Sequence, residues 1–205
     1  MRAPLHVLFV CTANVLRSPC AELMTRTALD LLLGSDAGSV EVASAGTWAS
    51  VDRGVDRSTV PSLAAFGVPA ADVQSFAARQ LTRELVGWAD LILVAAIEHR
   101  RAVWCLDLPA RHRTFTMHEF GHLLTRVPDQ TSPDPGESDV ATRGRALIVA
   151  ADAIRERLRA HDPTYDAAVG EVPDPAGETA EVTAVATREV AAALRPFWQA
   201  LAPAR

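Results

Sequence analysis

The stretch VLFVCTANVLRSPCAEL, residues 7–23, joins an apolar run, a polar turn opened by a cysteine, and a helical pattern entered through Arg17-Ser18. Leu5 to Val10 is short and almost continuously apolar, as befits a central parallel strand covered on both faces. From Ser18 onward, Ala21, Leu23, Met24, Ala28, Leu31 and Leu32 recur near helical spacing until Gly34 stops them. The order is therefore strand, tight loop, helix. Cys11 falls at the carboxyl end of the strand, the edge at which open parallel sheets bind ligands.

Outward from this unit the alternation continues. Val40 to Ala43 reads as a second strand running into SAGT (44–47), Ser58 to Phe66 as a helix stopped by Gly67, and ADLILVAA (89–96) as a buried third strand followed by the helix IEHRRAVWCL (97–106). RTFT (113–116) supplies a fourth strand. A short helical stretch, a Pro/Gly/Asp-rich loop over 128–138, a helix from Val140 to Arg159, a second such loop over 162–177 and a helix from Glu178 to Leu201 follow. Strands alternating with helices predict an α/β fold with a four-stranded parallel sheet and helices on both faces. With 205 residues, 49% of them apolar, and neither a repeat nor a long linker, residues 1–205 are expected to form a single domain.

Composition narrows the function. A net charge of −5 argues against a nucleic-acid binder, although every one of the 20 basic residues is Arg. No apolar run reaches the roughly 20 residues that span a bilayer, so no membrane insertion is expected. The opening apolar segment is broken by Thr12-Ala13-Asn14 and Arg17-Ser18 before any small-residue cleavage site, and reads as the first strand rather than a signal peptide. Three scattered cysteines make no disulfide framework and no zinc spacing. A cytoplasmic protein with reduced thiols is the expectation, with Cys20 and Cys105 buried in their helices as small hydrophobes.

Cys11, five residues, Arg17 and Ser18 carry the chemistry. If Thr12, Ala13, Asn14, Val15 and Leu16 wrap with their backbone N–H groups inward, they form an anion nest, and the helix beginning near Ser18 adds the positive end of its dipole. Arg17 at the rim can bind two oxygens of an oxyanion bidentately, as Lys could not. No metal or other cofactor is needed to hold the anion. The same donors favour the thiolate of Cys11 over its thiol, which makes a nucleophile aimed at phosphorus. Ser18 can donate its hydroxyl to that sulfur, and Asn14 suits a left-handed backbone position.

These residues resemble the low-molecular-weight protein tyrosine phosphatase family, whose loop reads V-C-x-G-N-x-C-R-S-P-x-A-E. Val10, Cys11, Asn14, Arg17, Ser18, Pro19, Ala21 and Glu22 match it. SAGT (44–47), RQLT (79–82), ADLIL (89–93) and DPAG (174–177) resemble further family segments in the same order. The resemblance implies a flavodoxin-like three-layer sandwich and a phosphocysteine mechanism. It implies that Ser44 hydrogen-bonds Asn14 and holds the loop in shape. The substrate it implies is a protein phosphorylated on tyrosine, or else a small phosphomonoester.

A general acid must protonate the leaving oxygen, and one carboxyl can serve both chemical steps. Asp134, Asp162 and Asp174 each precede a proline. Asp174, just before the last helix and followed by Pro175 and Gly177, is the closest match to the family's acid loop; Asp134 is second, and Asp162 reads as a loop residue. The departures are specific. Leu16 stands where the family often has a second cysteine, Ala176 replaces an aromatic residue after Asp-Pro, and Ala95-Ala96 replaces Met-Asp. Trp48 could supply an aromatic wall in place of the lost ring. Residues 118–172 form an enlarged region compatible with a partner surface. Three other readings share the loop: a phosphoarginine phosphatase, whose branch has Thr where this chain has Val15; an arsenate reductase, which needs further relay cysteines; and a phosphate-binding regulatory domain without turnover.

Overall fold

The computed structural model describes residues 3–128, 139–162, 164–165 and 170–202. Four strands, β1 (Leu5–Cys11), β2 (Val40–Gly46), β3 (Leu91–Val94) and β4 (Thr114–Thr116), pair in parallel in the order β2-β1-β3-β4. The helices among the described residues are α1 (Arg17–Leu33), α2 (Val60–Phe66), α3 (Ala70–Ser75), α4 (Arg83–Trp88), α5 (Ile97–Leu106), α6 (Met117–Leu124), α7 (Val140–His161) and α8 (Ala180–Leu201).

Successive strand residues point to opposite faces, so a strand covered on both sides must be apolar throughout. Leu5, Val7 and Phe9 of β1, with Leu91 and Leu93 of β3, join one cluster with α1, α6, α7 and α8. Leu8, Val10, Ile92 and Val94 join a second cluster with Val86 of α4 and Val103 of α5. This is the flavodoxin-like sandwich that the family resemblance implies. The chain leaves β1 toward β2 on one side and reaches β3 on the other, so the direction of winding reverses beside β1 and opens a crevice at its carboxyl end.

Local details differ from the sequence reading in ways that follow from packing. β2 continues past Ala43 into SAGT and ends at Gly46. Helices α3 and α4 are each six residues long, too short to show a helical period. In α1 the buried positions at the carboxyl end are Leu29 and Leu33, four apart on one face, whereas Leu31 and Leu32 face outward. Cys105, expected to be buried, is exposed. The buried residues of α5 are His99, Arg100 and Val103, and Cys105 lies two residues beyond Val103, about 200° around the helix from it.

Helices α6 and α7 are tied to β4 and α5 by buried polar contacts. Arg155 of α7 donates to the Thr114 carbonyl at 2.6 Å and the Arg111 carbonyl at 2.9 Å, with its guanidinium 4.1 Å from the centre of the Phe115 ring. Glu119 of α6 pairs with Arg100 of α5 and accepts the Tyr165 hydroxyl at 3.3 Å. Helices α6 and α8 approach closely: a Cβ at Gly121 would lie 2.3 Å from the Ala193 carbonyl oxygen. Gly121→Ala must therefore push the two helices apart, and equilibrium urea unfolding is expected to show a loss of about 1–3 kcal/mol; unchanged stability would mean that the helices do not meet there.

Candidate active site

Cys11 is the last residue of β1, and helix α1 begins at Arg17, so residues 12–16 make the whole turn between them. Asn14 takes the left-handed conformation, φ +56°. The loop is held from outside by the segment that follows β2. Thr47 N–H donates to the Cys11 carbonyl, Trp48 N–H to that of Thr12 and Ser50 N–H to that of Ala13, each at 2.9 Å, and Asp56 N–H donates to that of Val15 at 2.8 Å.

In a trans peptide the C=O and the following N–H point in opposite directions. Outward carbonyls at Cys11, Thr12, Ala13 and Val15 therefore turn the N–H groups of Thr12, Ala13, Asn14 and Leu16 inward. Leu16 occupies the N-cap of α1 and makes no side-chain cap, which leaves the first helical N–H groups to the same concavity. The arrangement is a concavity lined by N–H groups and floored by Cys11, a shape that can cradle an anion.

Side chains brace the cradle from beneath. Asn14 Nδ2 donates to Ser18 Oγ at 2.9 Å and Ser44 Oγ at 2.8 Å, and Asn14 Oδ1 accepts the Arg79 N–H at 2.8 Å. Ser44 Oγ donates its own hydrogen bond to Glu22 Oε2 at 2.6 Å. Ser18 Oγ lies 2.9 Å from Cys11 Sγ and 3.5 Å from the Ala45 carbonyl. Ser18 Oγ accepts from Asn14, which leaves its own hydroxyl proton free to be donated to the nearer sulfur. Burial pushes the Glu22 carboxyl above the usual carboxylate range, opposed by Arg26, which donates to it at 2.5 Å, and by Ser44 and Arg79.

Arg17 is buried, at 5% exposure, and Asp174 is about half-exposed. Arg17 Nη2 donates to Asp174 Oδ2 at 2.6 Å and to Thr12 Oγ1 at 3.3 Å, and Nη1 to the Val172 carbonyl at 3.4 Å. The structure thus brings Cys11, Asn14, Arg17, Ser18, Ser44 and Asp174 together. Asp162 instead caps its own turn, accepting from Thr164, and Asp134 lies outside the described residues. Trp48 is 83% exposed, its backbone pinned to Thr12. Cys20 is buried, and burial pushes its thiol up to about 12, so it stays protonated at neutral pH.

Arg79, His99 and Glu171 also belong to this neighbourhood and were not singled out by the sequence. Arg79 lies within RQLT, where the motif was visible but its contacts were not. Glu171 meets the site through the helix end of α5, and His99 through that helix end and through the Thr12 hydroxyl.

The family model for low molecular weight phosphotyrosine protein phosphatase matches residues 6–143. The chain belongs to that family. The cysteine-based phosphatase chemistry read from the loop fits this membership.

Among relatives, EpsP of Ralstonia solanacearum, named as a probable low molecular weight protein-tyrosine-phosphatase, is 36% identical over 110 residues, covering 54% of this chain and 65% of that protein. The low molecular weight protein-tyrosine phosphatase A of Mycobacterium bovis is 32% identical over 173 residues, covering 80% of this chain and 100% of that one. The protein-arginine-phosphatase of Bacillus subtilis is 29% identical over 155 residues, covering 76% and 93% respectively. The solved YwlE arginine phosphatase from Geobacillus stearothermophilus shares the fold, with a TM-score of 0.64, 22% identity and coverage of 96% of this chain and 92% of that chain.

SAGT contributes a glycine for a spatial reason. A Cβ at Gly46 would sit 2.5 Å from the Thr12 carbonyl oxygen. Gly46→Ala must displace the loop where its outward carbonyls begin. Calorimetric titration with inorganic phosphate is expected to show at least tenfold weaker binding than wild type, and wild-type affinity would contradict the outward-carbonyl account.

Proposed function

We propose that this chain hydrolyses phosphotyrosine on proteins through a phosphocysteine intermediate, without a metal. The observation that carries the proposal is the cradle itself: inward N–H groups around a cysteine whose sulfur lies 2.9 Å from the Ser18 hydroxyl and whose rim holds an arginine next to a carboxyl. The phosphate of the ester enters the loop, where the N–H groups of Thr12 to Leu16 and the Arg17 fork take its equatorial oxygens. Cys11 attacks in line, the S–P bond forms and the P–O bond to the leaving group breaks. Asp174 gives the leaving oxygen its proton. Water then attacks the phosphocysteine, Asp174 takes a proton back, and Ser18 stabilises the departing sulfur.

Arg17 also pairs with the acid itself. Its buried charge is met by Asp174, so the acid is stored at the rim and freed when phosphate takes over the guanidinium. The exposed indole of Trp48, beside Thr12, is suited to line the path of an aryl ring. A reduced compartment such as the cytoplasm suits the three free cysteines, and no helix among the described residues is long and apolar enough to cross a membrane. We assign the described part of residues 118–172 to the same domain as the loop, because α6 and α7 share the core cluster of β1.

A second reading, a phosphoarginine substrate, is favoured by the Bacillus relative of that name, which aligns over 93% of its length. The loop chemistry is common to both, and the leaving atom differs. Phosphotyrosine, phosphoserine and phosphoarginine peptides, assayed with a chelator present, separate the readings; preference for phosphoarginine would move the assignment to the second.

Cys11→Ser is expected to abolish turnover while retaining phosphate binding, and Arg17→Lys to fail because a point charge cannot replace the fork. Asp174→Asn is expected to slow aryl phosphates with poor leaving groups by about 10²-fold or more and those with good leaving groups far less. Equal losses across the series, or a requirement for a divalent metal, would contradict these roles.

A further inference from the structure

Helix α5 begins without a capping side chain of its own, since Ala96 occupies the N-cap. Two other side chains take its first N–H groups. His99, at the third helical position, accepts the Ala96 N–H on Nδ1 at 3.1 Å. Glu171, three residues before Asp174, accepts the Ile97 N–H at 2.7 Å. The same helix end thereby touches both halves of the site. Val172 N–H, between Glu171 and Asp174, donates to the Ala95 carbonyl at 2.9 Å.

His99 is 2% exposed and both its nitrogens are engaged. A ring nitrogen that accepts an amide N–H carries no proton, so the neutral ring has its proton on Nε2. Nε2 lies 3.0 Å from Thr12 Oγ1, which makes the histidine the donor and the threonine the acceptor. Burial first, and then the charge of Arg17, hold His99 below the usual histidine range, in keeping with a neutral ring; Glu98 of α5, 4.0 Å away, and Asp174 of the acid loop pull in the opposite direction. Thr12 Oγ1 also accepts Arg17 Nη2 at 3.3 Å. With both lone pairs taken, the hydroxyl proton of Thr12 must point away from both donors.

We propose that His99 is a positioning residue of the phosphate site: its Nε2–H fixes the Thr12 hydroxyl so that this hydroxyl and the Arg17 fork are set for an oxyanion in the loop. The inference rests on the anion-cradle reading and deepens it. His99 does not touch the anion. It acts through Thr12, and its second nitrogen makes the cap of α5 part of the same device.

Two amide replacements separate positioning from capping. In His99→Asn the side-chain oxygen can occupy the place of Nδ1, keeping the cap and losing the donor to Thr12. In His99→Gln the amide nitrogen can occupy the place of Nε2, keeping the donor and losing the cap. Inorganic phosphate affinity by calorimetry, melting temperature, and kcat and KM on an aryl phosphate are measured for both, for Thr12→Val and for the double variant His99→Asn/Thr12→Val.

The expected result is a loss in phosphate affinity of about five- to tenfold for His99→Asn, a similar loss for Thr12→Val, and no further loss in the double variant. His99→Gln is expected to bind phosphate nearly as wild type while melting lower. Nitrogen NMR of the wild-type imidazole should report Nδ1 unprotonated. Wild-type phosphate affinity in His99→Asn, additive losses in the double variant, or a protonated Nδ1 would overturn the proposal. If this pattern of phosphate binding holds in a protein that hydrolyses no ester, the phosphatase reading fails and the positioning role stands. A wild type that binds no phosphate overturns both.

Discussion

An anion can be held by backbone N–H groups only where the intervening carbonyls are satisfied elsewhere, and the segment after β2 meets that condition here. Four carbonyls from Cys11 to Val15 are taken by the N–H groups of Thr47, Trp48, Ser50 and Asp56. The sheet sets up this encounter, since β2 runs parallel to β1 with Cys11 opposite Gly46, so both chains leave the same edge side by side. Gly46 lets them approach closely. The left-handed turn at Asn14 then closes the loop, and its side chain spans from Ser18 to Ser44 and Arg79 in the same stroke.

Charge follows from that geometry. A concavity lined by N–H dipoles, a helix N-terminus and the Arg17 guanidinium is positive within, the field that suits an oxyanion. Asp174 supplies a counter-charge to the buried Arg17 guanidinium at 2.6 Å. Beneath the loop, Glu22 is the opposite case, a carboxyl desolvated by burial and compensated by Ser44, Arg26 and Arg79. These two acid groups differ in solvent contact as they differ in place: Asp174 is open to the mouth, and Glu22 is closed beneath the floor.

Much of this was legible because it is local. The strand, the turn and the helix from Leu5 to Gly34 are adjacent in the chain, and the spacing of Cys11, Arg17 and Ser18 within them limits what the turn can do. The family resemblance added Ser44 as the partner of Asn14, and the structure places the two in contact. What was not legible depends on packing between distant segments. Cys105 faces solvent because α5 rests on His99, Arg100 and Val103, a choice of face that a nearly even apolar pattern does not announce. His99 reaches Thr12 across 87 residues and Glu171 reaches Ile97 across 74, neither within any motif. Among three Asp-Pro pairs the sequence offers a ranking, and the contact between Asp174 and Arg17 is spatial.

The account stands or falls on a covalent bond between Cys11 and phosphorus. Wild-type protein mixed with an excess of an activated aryl phosphate, quenched in acid on the millisecond scale and digested, is examined by mass spectrometry for the peptide containing Cys11. Phosphoryl transfer through the cradle predicts a phosphorylated Cys11 that builds up with the burst of released aryl alcohol and is absent in Cys11→Ser. A burst of product with Cys11 unmodified at every time, or phosphate recovered on another residue, would contradict it.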